Sequence, residues 1–151
     1  MIWIGIDPGN SGGIAALDDF GRPFDLGLQK LSETPLDIVE FVERVTSWGD
    51  CFAVIEKVHS SPQMGVTSAF TFGRSLGFLH GLLTAFRIPF DEVSPQRWQK
   101  AMDCLSKGDK NVTKNRAQQL FPNEKISHAI ADALLIAEYG RRTHKDKEIL
   151  P

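Results

Sequence analysis

Cysteine is scarce in this chain: Cys51 and Cys104 are the only two among 151 residues, and no CxxC pair occurs. Two cysteines do not make a disulfide framework in a chain of this size, nor do they suggest structural zinc. A reducing compartment, the cytoplasm, is therefore expected. Long apolar runs are missing too. None approaches the roughly 18 residues that a membrane span needs, so no membrane role is expected. The N-terminus lacks the charged-then-apolar pattern of a secretory signal. Neither sign of charge is in large excess. The net charge is −2, which gives no global basic character to advertise nucleic-acid binding. Internal repeats, low-complexity segments and linkers are absent. The length suits a single domain over residues 1–151 with a real core.

What is present is ordinary in bulk and uneven in detail. Hydrophobic residues make up 42% and charged residues 24%, as in globular proteins generally. Residues 97–116 carry six Lys/Arg against two Asp, and the tail 141–148 carries four against two. A local basic stripe can bind phosphates whatever the total charge. It can equally be a solvated face.

The apolar patterning sets the elements. IWIGID (2–7), GIAALD (13–18) and FDLGLQKL (24–31) read as three strands joined by the turns PGNSGG and DDFGRP, an antiparallel meander. Ile38, Phe41, Val42 and Val45 fall at helical spacing after Pro35, so a helix of about four turns follows. CFAVIE (51–56) is short and apolar enough to be a buried central strand. A long helix over 64–88, a strand over 88–93 and short helices from Ser94 and Val112 come next. The last helix begins near Ser127, a suitable N-cap. This order argues for an α/β protein with a mixed sheet and helices on its faces.

The stretch GIDPGNSGG (5–13) allows two readings. Its glycines could cradle a nucleotide phosphate, or a tight hairpin could leave Asp7 exposed to hold a metal ion. Other acids bear on the choice. Glu56 ends the fourth strand as Asp7 ends the first. If these strands are parallel neighbours, about 4.8 Å apart, the two carboxylates sit side by side. Two such groups repel unless a cation or proton lies between them. Oxygen ligands suit Mg²⁺ or Mn²⁺. His128 and Asp132 are four residues apart on one helical face. Asp132 lies between AIA and ALLIA, where a charge is unusual without a partner. Asp7, Glu56, His128 and Asp132 could hold two metal ions about 4 Å apart, activating a water for phosphodiester hydrolysis. Each also has a plainer role. Asp7 could start a turn, Glu56 could pair with Lys57, His128 could be solvated, and Asp132 could pair with Lys125.

Taken together, GIDPGNSGG (5–13), VIEKV (54–58), MGVTSAFTFGRSLGFLHG (64–81), VSPQRWQK (93–100) and HAIADALLIAEYG (128–140) resemble the RuvC-type Holliday junction resolvases. These are ribonuclease H-like nucleases, and the small phage-type branch is the nearest likeness. The resemblance implies a ribonuclease H-like fold with a five-stranded sheet of order 3-2-1-4-5 flanked by helices. It implies a homodimer that nicks opposed strands of a four-way DNA junction with Mg²⁺. The catalytic acids carry over onto Asp7, Glu56 and Asp132. The fourth ligand position falls on His128, where many relatives have an acid. A histidine ligand must be neutral, so activity would fall at mildly acid pH, and Mn²⁺ could substitute for Mg²⁺.

On this reading Lys107, Lys110, Lys114 and Arg116 contact phosphates of the junction arms, and Lys57 touches the scissile strand. His59, Gln63 and Met64 follow Glu56 as candidates for probing bases. Met64 could wedge between unstacked bases or cap the next helix's core. Gly73, Gly77 and Gly81 recur every four residues. They form a groove for a partner helix across a dimer axis or for the protein's own sheet. Phe70, Phe72, Phe78, Phe86 and Trp98 read as packing groups. A sugar-kinase or actin-like ATPase would need a second domain and phosphate loop, so no nucleotide cofactor is expected. A non-cutting junction-binding protein, or a nuclease acting on other branched DNA or RNA–DNA hybrid, is the alternative, since fold does not settle substrate.

Overall fold

The first strand is apolar at almost every position, and the reason is that both its faces are covered. In the computed structural model, which describes residues 1–148 and side chains through Lys145, β1 (Ile2–Asp7) is the central strand of a five-stranded sheet. β2 (Gly13–Leu17) and β3 (Pro23–Lys30) follow it as an antiparallel meander. On its other side β1 pairs in parallel with β4 (Cys51–Glu56), which pairs in parallel with β5 (Phe90–Val93). The order is β3-β2-β1-β4-β5, the mixed sheet expected from the sequence.

Two helices cover one face and three the other. Ile2, Ile4, Ile6, Ala53 and Ile55 pack with α1 (Pro35–Trp48) and α2 (Val66–Ala85). Trp3, Ala15, Leu17 and Val54 pack with α3 (Pro95–Ala101), α4 (Lys110–Leu120) and α5 (His128–Glu148). Strand residues alternate between the two clusters, as the pleat requires. Thr34 and Asp37 close a reciprocal capping box at the start of α1. Among the described residues no helix is long and apolar enough to cross a membrane.

Local differences from the sequence reading have local causes. α2 stops at Ala85 because Arg87 turns into the left-handed region at φ 56. α4 starts at Lys110, earlier than its apolar pattern suggests, because the Asp109 side chain accepts from the Asn111 amide as its cap. Ser127 does not cap α5 with its side chain. Its carbonyl accepts from Ile130 and Ala131, while its buried hydroxyl oxygen has no partner.

Two glycines bring α5 against the sheet. A Cβ at Gly5 would run into the backbone of Ala133 and Ala137, and one at Gly13 into the carbonyl of Ala129. Gly13 pairs with Asp7. The first turns of α5 therefore lie over the end of β1 that carries Asp7.

Candidate active site

Three carboxylates come from three core elements. Asp7 and Glu56 are the last residues of neighbouring parallel strands, one step beyond the Ile6–Ile55 pair. α5 supplies Asp132. All three are only partly exposed. Burial raises each one's pKa first of all. Asp7 is pushed up to about 8 by burial, then by the charges of Glu56 and Asp132. Glu56 is raised by burial and by Asp132, against the opposing hydrogen bond from Trp98. Asp132 is raised by burial and eased by the neighbouring Thr113 hydroxyl. Lys110 lowers all three. Among the described residues it is the one cation that acts on the whole group.

The partners of the acids explain their poise. The indole Nε1 of Trp98 donates to Glu56 Oε2 at 2.6 Å, so Trp98 is more than packing for α3. Asp132 Oδ1 is buried with no hydrogen-bond partner. A carboxylate oxygen in that state is destabilised, and a divalent cation relieves it together with the mutual repulsion of the three acids. By donor chemistry and by this orphaned oxygen the residues fit a hard divalent ion.

The four expected ligands are not drawn into one cluster. Among the described residues, no three His, Cys, Asp or Glu side chains stand close enough to hold a metal ion. Like charges push apart, Glu56 is tied to Trp98, and His128 is exposed at the first residue of α5. The charge of His128 nevertheless acts on Asp132, so the two share a neighbourhood. Neither plainer pairing, Glu56 with Lys57 or Asp132 with Lys125, is among the ion pairs formed by the described residues.

The basic residues divide into free and committed ones. Lys57, Lys107 and Lys110 are exposed and Lys114 is half-buried. His59 and Gln63 are exposed and Met64 is half-buried on the loop that leaves Glu56. Arg116 instead joins α4 to α3. Its Nε donates to the Met102 carbonyl at 2.8 Å and its Nη1 to Gln119 at 3.3 Å. In the tail, Arg141 and Arg142 both grip Glu138, which is 4% exposed. Lys145 donates to the Asp19 carbonyl. The side chains of Asp146, Lys147 and Glu148 lie outside the described residues.

The GIDPGNSGG stretch forms a hairpin turn. Gly9 sits at φ +111, a conformation that favours glycine, and the Gly12 amide donates to its carbonyl at 3.1 Å. Beside this turn, a groove of about 640 Å³ runs between Gly9 and Asn10, the β3–α1 loop and α2, where Thr71, Arg74 and Ser75 face it. The acids do not line it. Farther along α2, a Cβ at Gly73, Gly77 or Gly81 would meet nothing within 4 Å. The glycine face is open and does not seat the protein's own sheet.

No family model and no curated protein matches the chain. Among solved structures, RuvC of Thermus thermophilus in complex with a Holliday junction substrate aligns with a TM-score of 0.70. Identity is 16%, and the alignment covers 97% of this chain and 96% of that one. Another structure of the same organism's RuvC gives 0.62 at 20% identity, covering 95% and 97%. The chain thus has the ribonuclease H-like fold of those proteins over nearly all of its length.

Proposed function

We propose that this chain is a metal-dependent endonuclease that resolves four-way DNA junctions by paired nicks in opposed strands. Its setting would be DNA recombination and repair or phage DNA processing, in the cytoplasm. The observation that carries the reading is the electrostatically coupled trio Asp7, Glu56 and Asp132, with Asp132 Oδ1 orphaned. It stands in a fold shared with a protein solved on a Holliday junction.

Asp7, Glu56 and Asp132 would hold Mg²⁺, with Mn²⁺ able to substitute, and His128 would add a nitrogen ligand. When bound, a pair of such ions activates water and stabilises the leaving oxygen of a phosphodiester. The chain's own residues prepare the site. β1 and β4 fix two carboxylates in register. α5 brings the third over them through its close approach at Gly5 and Gly13. Lys110 offsets the gathered negative charge and is the lysine best placed for the phosphate being cut. Lys57, Lys107 and Lys114 hold neighbouring phosphates, while His59, Gln63 and Met64 stand where unpaired bases arrive. Arg116 belongs to the α3–α4 scaffold. A homodimer would place two such sites on opposed strands. The open glycine face of α2, with Phe70 at 71% exposure and Val66 at 86%, suits the dimer contact.

The test is cleavage of a synthetic four-way junction beside a linear duplex and an RNA–DNA hybrid, with Mg²⁺ or Mn²⁺. Asp7→Asn serves as control. Junction-only nicks lost in the variant support the reading. Tight junction binding without cutting would mark a binding protein, and hybrid cleavage alone would overturn the substrate.

A further inference from the structure

Trp98 stands at an unusual junction of core and site. It is wholly buried, with 0% exposure, in the cluster formed by Met102, Cys104, Ala117 and the α5 residues. An indole has one donor and no acceptor, and a buried one needs a partner. Here the partner is Glu56 Oε2, 2.6 Å away and 42 residues distant in sequence. A hydrogen bond to a carboxylate is charge-assisted and among the stronger kinds. Among the described residues, Glu56 makes no other side-chain hydrogen bond.

The scaffold beneath Trp98 is firm. The Ser94 carbonyl accepts from Arg97 and Trp98 at the start of α3, and the Trp98 carbonyl accepts from Met102 at its end. Gln99 Oε1 receives both the amide and the hydroxyl of Ser106, and Arg116 bridges from α4. A glutamate has several free torsions, and fixing one of its oxygens removes most of them. A fused ring of the same shape without an N–H would fill the same core volume. The N–H adds only the grip on Glu56.

We infer that Trp98 is a positioning residue: its indole N–H holds Glu56 Oε2 so that Oε1 is presented for a divalent cation. The inference rests on the metal-dependent reading above. Partners of this kind raise metal affinity by about 10- to 100-fold in known sites.

The test replaces Trp98 with 3-benzothienylalanine, which keeps the ring shape and lacks the N–H. Mn²⁺ affinity is read without DNA, from the free-ion electron paramagnetic resonance signal, alongside thermal melting. The expected result is Mn²⁺ binding about 10- to 100-fold weaker with unchanged melting. Restoration by 5-fluorotryptophan, which keeps the N–H, is also expected. Equal Mn²⁺ affinity in the benzothienyl and native proteins overturns the role of Trp98 and leaves the nuclease reading standing. No Mn²⁺ binding by the native protein overturns both. A second measurement needs no variant at position 98. The Trp98 indole ¹H–¹⁵N resonance, assigned by its displacement in Glu56→Gln, must move when Mg²⁺ is added to the native protein. A resonance that ignores Mg²⁺ overturns the inference.

Discussion

Replacing Asp7 by asparagine should stabilise the metal-free protein while abolishing its chemistry. The folded state raises the Asp7 pKa from 3.8 to about 8, chiefly through burial. An acid raised in this way takes up a proton on folding, so its effect on stability is unfavourable above its unfolded value. The Asp7 contribution is therefore least unfavourable at low pH and worsens as pH rises through the window from 3.8 to about 8. At neutral pH about three units of that window count, at roughly 1.4 kcal/mol each, a ceiling of about 4 kcal/mol. Water reaching the rim of the site reduces this to about 2 kcal/mol. Asparagine has no charge to desolvate and escapes the penalty. For a chain of this size the gain is about 4–8 °C in Tm. The assay is thermal melting in chelator from about pH 5 to about pH 7.5, where the gap between variant and wild type should widen with pH. Mg²⁺ should then reverse the order, because it stabilises only a protein that binds it. A variant that melts below wild type in chelator across the whole range would refute the reasoning.

Three further perturbations probe other parts of the molecule. Lys110→Ala removes the cation that lowers all three acids, so the rising limb of the pH–rate profile should move to higher pH. The slope of log affinity for junction DNA against log salt should fall by about one. A Cβ at Gly77 would meet nothing within 4 Å, so Gly77→Leu puts its bulk on the open face and gains helix propensity of up to about 1 kcal/mol. It should melt no lower than wild type yet sediment as a monomer. Glu138→Gln removes the charge that Arg141 and Arg142 share and should destabilise the fold by about 1–3 kcal/mol in urea titration.

The site was legible where chemistry interrupts an apolar pattern. Asp7 and Glu56 each close a hydrophobic strand, and Asp132 breaks an apolar helical face, so all three stood out before the sheet order was known. Their partners did not. The Trp98 to Glu56 bond spans 42 residues, and an aromatic in a short helix reads as packing. Gly5 and Gly13 looked like strand and turn residues, yet their missing side chains let α5 reach the sheet. Arg116 carries the same charge as its neighbours, and only the packing of α4 on α3 commits it to Met102. Spacing put His128 and Asp132 on one face. Spacing does not encode side-chain direction, and among the described residues no three such side chains are gathered as a metal group. For α2, a glycine repeat fits a self-contact and a partner contact equally well, and the open space beside it separates the two.

The most direct test of junction resolution is digestion of a supercoiled plasmid that extrudes a cruciform, in Mg²⁺. Paired nicks in opposed strands within one binding event convert the circle to a linear molecule cut at the cruciform base. Isolated nicks release the supercoiling, reabsorb the cruciform and leave an open circle. The account predicts linear product from the native protein and none from Asp7→Asn. Open circles alone, or intact plasmid with the protein bound, would contradict it.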